Sequence, residues 1–141
     1  MDPLAIQNRQ ELAEFIRGRD DDELGDYLTE LSVPAVLRSV FEGMAHGYLP
    51  KEGPREPVVV QWDIQDLDRK YHTWQNVASR EGFTFQEGAV KEAAVTLRTE
   101  LVPFVRLMAG ELRGIQALSS GAVKLKGDVQ MALEMEGWFA D

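Results

Sequence analysis

The side chains that most often carry acid–base or metal chemistry are few in this sequence. The chain has two histidines, His46 and His72, and no cysteine. The absence of cysteine excludes thiolate nucleophiles, thiolate zinc sites and disulfides, and no H-E-x-x-H spacing links the histidines. His46 precedes Gly47 and is interpreted as a residue of a helix C-terminus, where a positive charge is mildly favourable. His72 is predicted to lie in a strand, at the surface or hydrogen-bonded in the core.

Carboxylates and serines offer no recognisable catalytic arrangement either. Asp63, Asp66 and Asp68 form a D-x-x-D-x-D run, but it lacks the glycine and the order of acids of an EF-hand loop, so it is interpreted as a solvated turn. No G-x-S-x-G elbow, Walker loop or G-x-G-x-x-G is present, and none of the five serines has an evident base nearby in the sequence. The sequence therefore predicts no catalytic residue, no metal and no cofactor, and it favours a protein that is not an enzyme.

Composition limits the classes of partner. The chain has 141 residues, 44% of them hydrophobic, and a net charge of −9, which is globular in composition and repels nucleic acids. No apolar run approaches the roughly 18 residues of a membrane span, and the N-terminus does not resemble a signal peptide. A cytoplasmic location is expected. Residues 1–50 hold 4 basic and 10 acidic side chains, so the N-terminal segment is a candidate docking face for a basic protein partner.

Helical patterns open the chain. Asp2-Pro3 is a typical helix start, and Gly18 is predicted to end this first helix. Asp20, followed three residues later by Glu23, has the capping-box pattern and predicts a second helix. Pro34 is predicted to begin a third helix, which Gly47 and Pro50 end.

The periodicity then changes from helical to alternating. Strands are predicted over 58–64, 71–79, 83–85 and 94–99, with Val58, Val60, Trp62 and Ile64 on one face of the first. Two short helices follow, near 101–108 and 115–120, then a strand over 122–126 and a closing helix capped by Asp128. A block of strands with helices outside it predicts an α+β fold whose sheet is covered on one face.

The closing helix carries more apolar surface than a solvent-facing helix needs. Met131, Met135 and Trp138 share one face, while Val129 and Leu133 lie off it. A helix that is apolar nearly all round is buried or faces an apolar ligand, and methionines adapt to varied shapes. An ordinary core is the alternative interpretation.

The C-terminal half resembles the sterol carrier protein type 2 family. The family has a helix ending in glycine, then a G-K-L-x-x-x-G-D-like strand that leads into a closing helix, and residues 121–128, GAVKLKGD, follow that pattern with Ala122 where lysine is common. The segments VFEGMAHGYLP and VVVQWDI are similar to the family's first core helix and first strand. The resemblance covers about 33–139, which divides the chain into an N-terminal helical extension, 1–32, and a lipid-binding domain, 33–141.

The resemblance implies a five-stranded mixed β-sheet with helices on one face and an apolar tunnel between them. The implied function is non-enzymatic binding or carriage of a hydrophobic ligand of the fatty acid, acyl-CoA, sterol or isoprenoid type. An alternative is a structural or interaction module, with a filled tunnel, that accompanies a lipid- or quinone-related enzyme.

The predicted ligand contacts are apolar residues of the first strand and of the later helices. They are Trp62, Phe104, Met108, Leu112, Met131, Met135, Trp138 and Phe139. Trp138 and Phe139 are further predicted to form a lid, with simple completion of the core as the alternative. The segment 95–127 holds five basic and two acidic groups, so Arg98, Arg106 and Arg113 are candidates for binding an anionic head group. Scattered surface cations are the alternative there.

Overall fold

The computed structural model describes residues 9–140, which form six α-helices and one five-stranded sheet. The helices are α1 (Arg9–Ile16), α2 (Asp21–Glu30), α3 (Val33–Gly47), α4 (Leu101–Met108), α5 (Gly114–Ser120) and α6 (Val129–Glu134). The strands are β1 (Val58–Gln65), β2 (Tyr71–Ser79), β3 (Gly82–Glu87), β4 (Val95–Glu100) and β5 (Val123–Gly127). Two 3₁₀ turns, Pro50–Glu52 and Met135–Trp138, follow α3 and α6. The predicted order of elements and the α+β class are confirmed.

The helix starts follow from local capping chemistry. The Asp20 side chain accepts a hydrogen bond from the Glu23 amide at 2.8 Å, and Asp128 accepts one from the Met131 amide at 3.0 Å. Each cap satisfies one of the amides that a helix start leaves without an internal partner. The predicted cap residues are thus confirmed, whereas the predicted helix start at Asp2-Pro3 lies outside the described residues.

The sheet is mixed because β1 has two different neighbours. The strand order is β3-β2-β1-β4-β5, with β1 parallel to β4 and the other pairs antiparallel. Trp62 of β1 lies opposite Trp74 of β2 and Leu97 of β4, so these three side chains share the helix-covered face. The predicted inward face of β1 is confirmed: its alternate residues from Val58 to Ile64 are buried in the core.

An aromatic cluster fills part of the space between sheet and helices. The ring of Phe41 on α3 stacks on Trp74 at 5.1 Å and lies 5.8 Å from Phe104 on α4, whose ring is 5.4 Å from Trp62. All four side chains are buried, and burial of each contributes on the order of 1.5–3 kcal/mol. This cluster holds α3 and α4 against the centre of the sheet.

The N-terminal helices belong to the same core. Leu12 and Ile16 of α1, and Leu24 and Leu28 of α2, are buried together with the sheet residues. Arg106 of α4 adds a polar tie, because its guanidinium contacts Asp21 of α2 at 2.8 Å and donates to the Arg19 carbonyl at 2.9 Å. The division of the chain at residue 33 stays a prediction. No helix within residues 9–140 combines the length and apolar character needed to cross a membrane.

The β1–β2 hairpin is organised by Asp66, within the run predicted to be a solvated turn. Its carboxylate accepts hydrogen bonds from the Asp68 and Lys70 amides at 2.9 and 3.0 Å, and from His72 Nε2 at 2.8 Å. The Asp66 side chain is only 11% exposed, so the central carboxylate of the turn is partly buried rather than fully solvated. Burial alone would raise the pKa of Asp66, but the bonds from His72 and the two amides outweigh it and the pKa lies below 3.8.

Replacing Asp66 with asparagine should cost about 1–2 kcal/mol of unfolding free energy at neutral pH, because His72 and the two amides lose a charged acceptor. A carboxylate with a depressed folded-state pKa stabilises the fold above its unfolded pKa of about 4, and this contribution is lost as the pH falls through the folded value. The difference in urea-unfolding free energy between wild type and Asp66→Asn should therefore shrink from about pH 7 to about pH 3. Asp68→Asn, whose side chain is exposed, is the matched control. An equal difference at both pH values would contradict this account of the hairpin.

Candidate functional site: an apolar cavity beside the aromatic cluster

A cavity of about 400 Å³ lies between the sheet and the helices. Its wall takes residues from α1, α3, α4, α5 and α6, from strands β1, β4 and β5, and from the segment that follows α6. Most of these side chains are aliphatic, sulfur-containing or aromatic, and the charged ones are Arg9, Arg113 and Glu136. A wall of this kind binds apolar groups and offers few sites of polar recognition.

One face of α3, which includes two glycines, forms part of the cavity wall. Val40, Gly43, Met44 and Gly47 all line the cavity, and their spacing of three, four and seven residues places them on one face of the helix. A Cβ atom built on Gly47 would meet nothing within 4 Å, so a larger residue there would extend into free space. The sequence analysis did not identify this stripe. Its signal is present as two glycines within an apolar helical face.

The ring of Trp62 forms part of the cavity wall in a fixed orientation. Its indole N–H donates to Asn76 Oδ1 at 3.0 Å, and Asn76 is fully buried on the neighbouring strand. Because this donor is already used, Trp62 presents apolar ring surface to the cavity.

Five of the eight predicted contact residues line the cavity. They are Trp62, Met108, Leu112, Met135 and Phe139. Phe104, Met131 and Trp138 are not among the lining residues. Phe104 instead belongs to the aromatic cluster, where it packs between Phe41 and Trp62.

The closing helix is shorter than its sequence pattern indicates, and this moves its side chains. The α-helix ends at Glu134 and the chain continues as a 3₁₀ turn from Met135. The Met135 amide still donates to the Met131 carbonyl, so helical spacing is kept from Met131 to Met135 and is lost only beyond Met135, at Trp138. Ala132 and Leu133 face the cavity in place of Met131.

Trp138 and Phe139 are anchored by backbone bonds rather than lying loosely over the cavity. The Leu49 amide donates to the Trp138 carbonyl at 2.7 Å, and the Ala140 amide donates to the Gly47 carbonyl at 2.8 Å. Trp138 is 3% exposed, and the Phe139 ring lies 5.6 Å from Tyr48. These contacts fit the core alternative for Trp138 better than the lid hypothesis.

The three candidate head-group arginines lie in different places. Arg98 is exposed on the face of the sheet away from the helices, 3.9 Å from Asp63. Arg106 is held by Asp21 and Glu111; partial burial would lower its pKa, but these two carboxylates outweigh it and the pKa is raised. Arg113 lines the cavity, and within residues 9–140 it forms no ion pair.

Two further charged residues of the wall were missed by the sequence analysis. Arg9 packs its side chain over Gly110, and Glu136 Oε1 accepts a hydrogen bond from the Gly114 amide at 2.6 Å. Arg9 comes from a distant part of the chain, and Glu136 stands next to the predicted contact Met135 but is charged, so an apolar pattern does not select it. Neither histidine lines the cavity, and no group of three potential metal-ligating residues occurs in the described part of the chain.

Comparison with known proteins relates the chain to one sequence family and to several structures of similar fold. Residues 56–140 match the sequence model of the SCP-2 sterol transfer family. No curated protein matches the chain in sequence. Sterol Carrier Protein 2 from Yarrowia lipolytica is 15% identical with a TM-score of 0.57, over 74% of this chain and 88% of that one. Sterol Carrier Protein 2 Like 2 from Aedes aegypti is 20% identical with a TM-score of 0.57, over 76% of this chain and 95% of that one.

An enzyme structure also contains this fold. The sec-alkylsulfatase Pisa1 from Pseudomonas sp. is 20% identical with a TM-score of 0.64, over 73% of this chain. The matched region is only 16% of the sulfatase chain, so the two proteins share one fold unit. At these identities the three structures show a common fold.

The buried position of Trp138 leads to a prediction that separates core from lid. Trp138→Ala should lower the unfolding free energy by about 3–5 kcal/mol, as truncation of a large core aromatic does. Thermal and urea melts measure this change, and Met108→Ala, at a half-buried position of the cavity wall, should cost less. A Trp138→Ala protein that melts like wild type but releases a bound fatty acid faster would restore the lid hypothesis.

Proposed function

Because the chain belongs to the SCP-2 sterol transfer family, we propose that it binds and carries an apolar, lipid-like ligand and does not act as an enzyme. The observation that carries the proposal is the apolar cavity of about 400 Å³. Small-molecule sites typically occupy about 300–1,000 Å³ and are lined mainly by apolar side chains. The ligand class is that of fatty acids, acyl-CoA, sterols or isoprenoids.

The proposed contacts are the five predicted residues that line the cavity: Trp62, Met108, Leu112, Met135 and Phe139. Burial of ligand surface against them would contribute about 25 cal/mol per Å². The two methionines would adjust to ligands of different shape, since their side chains are unbranched and flexible. Of the three candidate arginines, Arg113 is retained as the partner of an anionic head group, because it lines the cavity and forms no ion pair within the described residues 9–140.

Filling the cavity tests this proposal directly. Met108→Trp adds bulk to the wall, so displacement of a fluorescent fatty acid should show at least a tenfold loss of affinity while the melting temperature is kept. Native mass spectrometry of freshly purified wild type should show a bound apolar molecule that the variant lacks. Val90→Trp, at a position 65% exposed and outside the cavity wall, is the control. Equal binding by Met108→Trp and wild type, or no binding by either, would reject the proposal.

A second candidate function is that of an interaction module for a basic partner. The first turn of α2 exposes Asp21, Asp22 and Glu23, and Asp26 is exposed one turn later. Arg106 pairs with Asp21, and the other three carboxylates form no ion pair within residues 9–140. This function would be favoured over carriage by a protein complex that dissociates at high salt and is lost in the Asp22→Lys/Asp26→Lys variant. The purified protein would also have to carry no lipid.

A further inference from the structure

The cavity has one firmly held wall and one loosely held wall. The firm wall is the segment 135–140, which contributes Met135, Glu136 and Phe139. Two backbone hydrogen bonds, which together form a β-bridge between Tyr48 and Phe139, attach this segment to the end of α3. Moving it would break main-chain bonds and expose Trp138.

The loose wall is α5. Four of its seven residues line the cavity, yet only Ala117 is buried, and Ile115 is 61% exposed. The helix lies between Gly110 and Gly121, both with positive φ, of 84° and 81°, so glycine turns bound it on each side. An element with few buried apolar contacts opens at a lower free energy than the core around it.

One hydrogen bond joins the two walls. Among the hydrogen bonds of residues 9–140, the only one between α5 and the segment 135–140 runs from the Gly114 amide to Glu136 Oε1, at 2.6 Å. A Cβ atom on Gly114 would overlap this carboxylate oxygen, so a larger residue there would have to displace the Glu136 side chain. Glu136 and Gly114 both line the cavity, which places the bond at the boundary between cavity and solvent.

We propose that the Glu136–Gly114 hydrogen bond is the gate of the cavity and that it selects ligands by shape. When the bond breaks, α5 moves away from the fixed segment 135–140 and a ligand passes between them. A flexible single chain needs a narrow opening, whereas a rigid fused-ring ligand needs the walls to separate further. Glu136 is therefore a specificity-determining residue, an inference that rests on the proposed function.

Hydrogen exchange of the Gly114 amide tests the gate without any ligand. Glu136→Ala removes the acceptor, so this amide should exchange about tenfold faster, the factor expected for losing a bond to a charged group. Glu136→Gln keeps a weaker, neutral acceptor, so its Gly114 exchange rate should lie between those of wild type and Glu136→Ala. Glu134→Ala is the matched control, because within residues 9–140 this side chain accepts its hydrogen bond from Gln130, at 3.4 Å, and does not line the cavity. Unchanged exchange in Glu136→Ala would overturn the gate.

Ligand kinetics test the selection by shape. Stopped-flow release of cis-parinaric acid, a flexible fatty acid, should be about tenfold faster in Glu136→Ala than in wild type. The rates of entry and release of dehydroergosterol, a rigid sterol, should increase by a larger factor in Glu136→Ala. The melting temperature of Glu136→Ala should stay close to that of the Glu134→Ala control. Equal acceleration of both probes would reject shape selection, and unchanged rates would reject the gate. If wild type binds neither probe, the proposed function fails while the exchange of Gly114 still decides the gate.

Discussion

The packing of Phe41 and Phe104 between Trp74 and Trp62 is the interaction on which the rest of this structure depends. These four rings hold α3 and α4 at a distance from the sheet that large side chains require. Further along α3 the residues that face the sheet include Gly43 and Gly47, which are too small to fill the same gap. Since protein interiors otherwise pack as densely as crystals, a helix held off by Phe41 at its middle and bearing glycines toward its C-terminus leaves a cavity.

The same core also explains why the N-terminal helices are not a loose appendage. Leu12 of α1 is both a core residue and part of the cavity wall, and Gly25 of α2 lies against Leu67 from the β1–β2 hairpin. Arg106 connects α2 to α4 by hydrogen bonds at its partly buried guanidinium. The acidic surface of α2 is consequently presented on a helix whose opposite side is packed into the fold.

The chemistry of the cavity favours recognition by shape over recognition by hydrogen bonds. The indole N–H of Trp62 is already bonded to Asn76, and the charged groups of the wall are the two arginines and Glu136. An apolar wall of this kind discriminates weakly between ligands that differ by a few methylenes. In the proposed carrier, selectivity would then come from how ligands enter and from the charge of their head groups, which is why the boundary between α5 and the segment 135–140 matters to the proposal.

The sequence by itself determined the elements and the family. Alternation over 58–64 placed Val58, Val60, Trp62 and Ile64 on one face, and the caps at Asp20 and Asp128 are where the capping patterns predicted them. These features depend on residues close together in the chain, for which backbone periodicity and local hydrogen bonds are decisive.

Only the tertiary structure decided which of the predicted contacts face the cavity. Phe104 and Met108 lie on one short helix, yet Phe104 is taken up by the aromatic cluster and Met108 lines the space. The pairing of Arg106 with Asp21 and the bond from Gly114 to Glu136 join residues distant in the sequence. Apolar periodicity shows that a side chain is turned inward, but whether it meets another side chain or empty space depends on the residue that the fold brings opposite.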